Sequence, residues 1–245
     1  MFEFGEFLMA LLQIIWINIL LSGDNAVVIA MACRSLPPKQ QKLGIILGTG
    51  PAVVLRIVFT ILIAYLLQIP FLKVAGGVLL LWIAYKLMIP ENEENHAVGT
   101  GGSLIEAVKT IVIADAVMSL DNVIAIAAAA KGNMPLLVIG LVISIPLIVF
   151  GSTLVLGLIN RFPVLVTAGA ALLGYIAGEV IVSDPTLVAW VEHDAPVLHS
   201  VVPFVGAIAV VALGYVMARK AARAGEAEDA LGAVQADAVA SDATD

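Results

Sequence analysis

Seven stretches of this chain run for close to twenty residues with almost no charge, and proline marks the gaps between them. An α-helix needs about 20 apolar residues to cross the hydrocarbon core of a bilayer. Within that core only helices and closed barrels can satisfy every backbone N–H and C=O. The pattern predicts an all-α membrane protein with seven transmembrane helices, over residues 7–33, 43–68, 71–89, 104–130, 136–159, 164–182 and 200–218. Pro37-Pro38, Pro70, Pro90, Pro135, Pro163 and Pro185 fall at or just past the ends of those stretches, where a missing N–H does least harm. Composition agrees: 61% of the 245 residues are hydrophobic and 13% charged, against about 45–50% and about 25% in soluble domains.

The net charge of -7 describes loops rather than a binding surface, because much of the acid lies in 91–94 and 226–245. No basic patch is present, so nucleic acid is not an expected partner. A single cysteine, Cys33, excludes an intrachain disulfide framework and a thiolate cluster. The opening Met1-Phe-Glu-Phe-Gly-Glu lacks the positive segment of a cleavable signal, so the first apolar stretch is expected to remain as a span.

Lysine and arginine set the expected orientation. Arg34, Lys39 and Lys42 lie in the first loop, Lys86 borders the third, Arg161 the fifth, and Arg219, Lys220 and Arg223 follow the last span. The loops of opposite parity hold only Lys73 and Lys131. The expectation is a multi-pass inner-membrane protein with its N-terminus outside and its C-terminus cytoplasmic. Residues 1–218 form the transmembrane domain; the Ala/Asp/Glu-rich 219–245 has too little apolar surface to offset its ordering entropy and reads as a mobile cytoplasmic tail.

The chain also repeats itself. Ser22-Gly-Asp-Asn-Ala-Val-Val-Ile-Ala matches Ser119-Leu-Asp-Asn-Val-Ile-Ala-Ile-Ala, Thr49-Gly-Pro51 matches Ser144-Ile-Pro146, and the segment after Pro70 matches that after Pro163. The polar and proline matches carry the case, since they recur in one order. Each half (about 7–89 and about 104–182) contains three spans, an odd number, so the second enters the membrane from the opposite side. Two inverted three-helix repeats plus a seventh helix at about 200–218 are therefore expected, and in secondary transporters of that plan the site lies near midplane at the repeat interface.

Ionisable residues inside a span are costly and are functional candidates by default. Asp24, Asp115 and Asp121 all lie in apolar stretches, with Asp24 and Asp121 each about seventeen residues into theirs, deep by the 1.5 Å rise. Asn18, Ser22 and Asn25 fall at i, i+4, i+7 on one helix face, and Asp115, Ser119 and Asn122 repeat the spacing. Facing polar clusters of that kind offer up to three carboxylates with amide and hydroxyl oxygens, a donor set for hard cations such as Mn²⁺, Ca²⁺ or Mg²⁺. Met118 adds a soft donor that tilts the choice toward Mn²⁺. Pro51 and Pro146, inside spans two and five, free carbonyls at Leu47 and Val142 for a cation, unless Thr49 or Ser144 satisfies the kink. Arg56, mid-span, either binds an anionic substrate or neutralises a carboxylate such as Asp115, and pairing is the expected role. Lys73 and Lys109, near span ends, are expected to snorkel.

With both Ser-x-Asp-Asn motifs in view, the sequence resembles the TerC family of bacterial integral membrane proteins, and within it the short YjbE-like branch of the wider LysE-type transporter superfamily. The likeness covers roughly residues 5–218 and rests on the two motifs, each with a polar residue six positions earlier: Asn18 before Asp24, Asp115 before Asp121. In relatives of this type that position is often acidic, so Asn18 is a departure that removes one negative charge. The resemblance implies Mn²⁺ export; the residues alone stop at a divalent-cation transporter.

The expected function is therefore efflux of Mn²⁺, or of Ca²⁺ or another divalent cation, by alternating access. No resident cofactor is expected, nor ATP, since no Walker motif is present. Asp24, Asn25, Asp115, Asp121 and Asn122 are the expected ligands, supported by Asn18, Ser22, Ser119, Met118, Arg56, Thr49, Pro51, Ser144 and Pro146. Proton exchange is the natural coupling, because desolvation raises a carboxylate pKa and a bound metal lowers it. Three other readings compete: an anion or amino-acid exporter centred on Arg56, a non-transporting membrane partner, and an aspartate-based intramembrane enzyme. The last is set aside because both aspartates precede Asn within a repeat. Small residues such as Gly76-Gly77 and Ala168-Gly169-Ala170 are expected to pack helices within a protomer or in a homo-oligomer.

Overall fold

The computed structural model describes residues 4–88, 101–130 and 133–217. Among them the only regular structure is helical: α1 (Phe4–Leu21), α2 (Gly23–Cys33), α3 (Pro38–Leu66), α4 (Leu72–Met88), α5 (Gly101–Ala130), α6 (Met134–Arg161), α7 (Val164–Val182), α8 (Val188–Asp194) and α9 (Val197–Met217). The expected tail, 219–245, and the acidic segment 91–94 lie outside the described residues. Proline opens helices as its chemistry directs: Pro38 stands at the start of α3, and Pro135 sits in the first turn of α6, where the Asn133 side chain accepts from the Leu136 N–H at 3.0 Å.

Large apolar side chains such as Trp16, Leu20, Val54, Phe150 and Leu154 point outward. Such a surface suits lipid and not water. Five helices are long and apolar enough to cross a membrane (α3, α5, α6, α7 and α9), or six if α1 and α2 count as one bent span. Two departures from the sequence expectation follow. The first expected span is two helices meeting at 47°, with the break at Ser22-Gly23. The third, α4, has 17 residues, about 26 Å at 1.5 Å per residue and short of the roughly 30 Å hydrocarbon core. Length and composition thus support five to six spans where seven were expected.

Two apolar clusters build the interior. One joins Met31, Ile45, Leu80, Ile83, Ile111, Met118 and Leu173; the other joins Ala10, Ile14, Val53, Ile126, Leu137 and Leu141. The α1–α2 pair runs from the second cluster to the first, whereas α5 runs from the first to the second. Asn18, Ser22, Asp24 and Asn25 fall between the two apolar segments of α1–α2, and Ser119, Asp121 and Asn122 between those of α5, with Asp115 a turn earlier. Packing has the same crossed character: α3 lies mainly on α5, α6 lies on α1 and α2, and α4 lies on α7. Ile14 and Ile111, each ten residues before an Asp-Asn pair, wedge against Gly140 and Gly48 of the opposite half. Gly76 meets Val117, Gly77 meets Ile181 and the Ala177 carbonyl, and Gly169 meets Met31, so these small residues pack helices within the protomer. On the outside, α9 seats on α7 through Gly174 and Gly206. A Cβ at Gly206 would come within 2.2 Å of the Gly174 oxygen, the close backbone approach that small residues permit between membrane helices.

Candidate functional site

Arg56 is 1% exposed and stands where the two polar faces meet. Its Nε donates to Ser119 Oγ at 3.0 Å, its Nη1 to Asn18 Oδ1 at 2.6 Å and Ser22 Oγ at 3.2 Å, and its Nη2 to Asp115 Oδ1 at 2.5 Å. One guanidinium therefore ties α1 to α5 through both motifs. Within each face the hydroxyl reaches back one turn, Ser22 Oγ to Asn18 Oδ1 at 3.3 Å and Ser119 Oγ to Asp115 Oδ2 at 3.2 Å. The planar fork of arginine suits such a hub better than a lysine would. Its charge is matched by Asp115, so the buried pair is paired and hydrogen-bonded as a low-dielectric site demands.

The motif asparagines cross between halves. Asn25 Nδ2 donates to Asp115 Oδ1 at 2.9 Å, and Asn122 Nδ2 donates to the Leu21 carbonyl at 3.1 Å. Leu21 is the last residue of α1, so Asn122 satisfies a carbonyl at the helix break. Asp24 lies in the first turn of α2, where its Oδ1 accepts from the Asn25 N–H at 2.8 Å. A carboxylate at a helix N-terminus is favoured by the macrodipole. Two buried atoms of the cluster, Asn18 Nδ2 and Asn25 Oδ1, have no protein partner. The second is a free oxygen acceptor on the residue that follows Asp24.

Asp121 has a different setting, in the unbroken α5. Its Oδ1 is paired with Lys73 Nζ, and the Ser183 hydroxyl lies 3.5 Å from its Oδ2 and 3.4 Å from the ammonium. Lys73 is rooted at the start of α4 by the buried carboxylate of Asp184, whose Oδ2 accepts from the N–H groups of Lys73 at 3.0 Å and Val74 at 3.3 Å. The Thr186 N–H donates to Asp184 Oδ1 at 2.8 Å, and the Phe71 N–H donates to Thr186 Oγ1 at 3.3 Å. Phe71 itself is left-handed, with φ 59°. Burial alone would raise the Asp184 pKa. Hydrogen bonds from the Thr186 backbone and hydroxyl, and from the N–H groups of Val74 and Lys73, outweigh burial and hold it below the ordinary aspartate value.

A sequence model of the integral membrane protein TerC family matches residues 4–222. The chain belongs to the TerC family. Among its relatives, the uncharacterized membrane protein YjbE of Bacillus subtilis is 50% identical over 182 residues, 74% of this chain and 83% of that protein. The uncharacterized membrane protein YceF of the same organism is 31% identical over 167 residues, 64% of this chain and 65% of its own length. The inner membrane protein YoaE of Escherichia coli is 28% identical over 187 residues, 66% of this chain and 36% of YoaE. No solved structure matches the chain.

In this TerC protein several expected contributors stand elsewhere. Asp24, Asp115 and Asp121 do not gather into a shared carboxylate cluster; among the described residues no three Asp, Glu, His or Cys side chains converge on one point. Asp115 is taken up by Arg56 and Asn25, and Asp121 by Lys73. Met118 is buried in the apolar cluster with Met31 and Ile111. Pro51 and Pro146 lie on the exposed flank of α3 and α6, and neither helix is interrupted there. Leu47 and Val142, whose carbonyls they release, are also outward-facing. The Ser144 hydroxyl bonds the Gly140 carbonyl at 2.8 Å, whereas the buried Thr49 hydroxyl has no protein partner. Lys73 does not snorkel, being 6% exposed. Lys73, Ser183 and Asp184 were missed as site residues. The available signal was Lys73 itself, a cation in a loop parity otherwise nearly free of them.

Proposed function

We propose that the protein is a secondary transporter exporting a divalent metal cation, with Mn²⁺ as the first candidate, and not an enzyme. The observation that supports this most is the buried polar network in which Arg56 joins Asn18 and Ser22 before the first Asp-Asn pair to Asp115 and Ser119 before the second, with Asn25 crossing to Asp115, between oppositely running helices. Intramembrane carboxylates and amides at such a place mark an ion path. Asp24, Asp121 and the unpartnered Asn25 Oδ1 supply oxygen donors suited to a hard cation. The crossed packing of α3 on α5 and α6 on α1–α2 fits two inverted repeats. In this proposal the chain sits in the inner membrane with its N-terminus outside and its C-terminus cytoplasmic. An anion carrier centred on Arg56 is disfavoured, because four hydrogen bonds from its guanidinium go to the protein's own groups.

The test is flux in liposomes loaded with Mn²⁺ or Ca²⁺, comparing the unmodified protein with Asp24→Asn and Asp121→Asn. Both variants are expected to lose Mn²⁺ flux at least about tenfold, since each removes a full charge from the ion path. Absence of Mn²⁺ flux in folded, unmodified protein would sink the export reading and favour the partner role.

A further inference from the structure

The Lys73–Asp121 pair is unequal. The lysine side chain is 8% exposed and the aspartate side chain 41%. Asp121 therefore keeps an open side, while the ammonium covers it from within. The backbone of Lys73 is fixed: Asp184 accepts two N–H groups there, and Phe71 is held in a left-handed turn by Thr186. Its head has a second acceptor in reach, because Ser183 Oγ lies 3.4 Å from the ammonium and 3.5 Å from Asp121 Oδ2. In the second half the residue matching Lys73 is Val166, and the residue matching Arg56 is Gly151. Among the described residues the first half thus supplies the two buried cations, and the carboxylates of the second receive them.

A carboxylate left bare inside a membrane protein is costly. A carrier that releases a divalent cation must cover that charge before its empty form can return. We propose that Lys73 is a tethered counter-cation, which occupies Asp121 in the ion-free carrier and is displaced by the transported ion. This deepens the export reading and rests on it: Lys73 acts through Asp121 as a positioning residue that sets ion affinity and permits the empty return.

The experiment uses the full-length protein, Mn²⁺ alone as probe, and the variants Lys73→Met and Lys73→Arg. It measures Mn²⁺ binding in detergent, net Mn²⁺ efflux from liposomes, and exchange of radioactive for unlabelled Mn²⁺ across them. Lys73→Met is expected to bind Mn²⁺ roughly tenfold more tightly, equivalent to about 1.4 kcal/mol of lost competition. Exchange survives because it needs no empty return, while net efflux falls by at least the same factor. Lys73→Arg keeps the charge and keeps net efflux. Unchanged affinity and unchanged net efflux in Lys73→Met overturn the proposal, as does equal loss of exchange and net efflux in folded protein. If Lys73→Met does not fold, Lys73→Gln, which retains a donor to Asp121, is read by the same criteria. Lack of Mn²⁺ binding and flux in the unmodified protein is a different failure, that of the export reading itself.

Discussion

The two Asp-Asn pairs are the same chemistry in two electrostatic settings. Asp121 lies in a continuous helix and is held by a buried lysine. Asp24 lies in the first turn of a short helix after a break, where its carboxylate accepts from the neighbouring Asn25 N–H. One sequence difference goes far to explain the geometry: the first motif reads Ser-Gly-Asp-Asn and the second Ser-Leu-Asp-Asn. Glycine in a helix interior costs about 1 kcal/mol relative to alanine, so the chain gives way at Gly23 and not at Leu120. The lesson is that a duplicated motif fixes which atoms are present, while its surroundings decide which of them are available to an ion.

The largest effect should come from removing the hub the two motifs share. Arg56→Met strips Asp115 of its cation and is expected to destabilise the folded protein by about 3–5 kcal/mol, the cost of a half-broken buried pair. Thermal unfolding in detergent would show it, and Asp115→Leu added to Arg56→Met should recover much of the loss. Recovery of nothing would mean the pair is not the source of the effect.

The next comparison is direct. Asp121→Asn leaves Lys73 buried without a counter-charge and should cost about 1–3 kcal/mol, whereas Asp24→Asn removes no ion pair and should stay within about 0.5 kcal/mol. Equal unfolding temperatures for the two variants would erase the contrast drawn between the motifs.

Gly23→Leu converts the first motif into the second. A Cβ there meets nothing within 4 Å, so stability should rise by up to about 1 kcal/mol. Mn²⁺ flux should fall at the same time, because the break that presents Asp24 at a helix start is lost. A stabilised variant with undiminished flux would show the break to be dispensable.

The smallest effect is one of pH, and it touches only the second motif. Asp184 has its folded pKa below the unfolded value, so its contribution is present above the unfolded pKa, about 3.9, and fades as pH falls through the folded one. Acidification through that window should loosen the anchor of Lys73. Asp184→Asn should flatten the acid limb of the unfolding-temperature profile, and an unaltered limb would remove Asp184 from the account.

Much of the fold is legible in the sequence because lipid is an undemanding reader. Apolar runs of the right length must become helices, and prolines mark their ends, so 164–182 is the same in expectation and structure. The matched spacing of Asn18, Ser22 and Asn25 with Asp115, Ser119 and Asn122 likewise identifies the faces that meet, since helical periodicity places those residues together wherever the helix goes. The break at Ser22-Gly23 is harder to read. One glycine shifts helix energy by only about 1 kcal/mol, and many membrane helices absorb one without bending.

What the sequence by itself determined is which groups lie inside the membrane protein: three aspartates, five amide and hydroxyl side chains at helical spacing around them, and Arg56 among apolar neighbours. The sequence could suggest Asp115 for Arg56, but tertiary structure decided the partners. It gave Arg56 to Asp115, Lys73 to Asp121, and left Asn25 Oδ1 unclaimed. The physical reason is range. Burial of a side chain follows from the local pattern of one helix, but pairing depends on which helices cross, and Lys73 meets Asp121 from 48 residues away, through a turn anchored by Asp184.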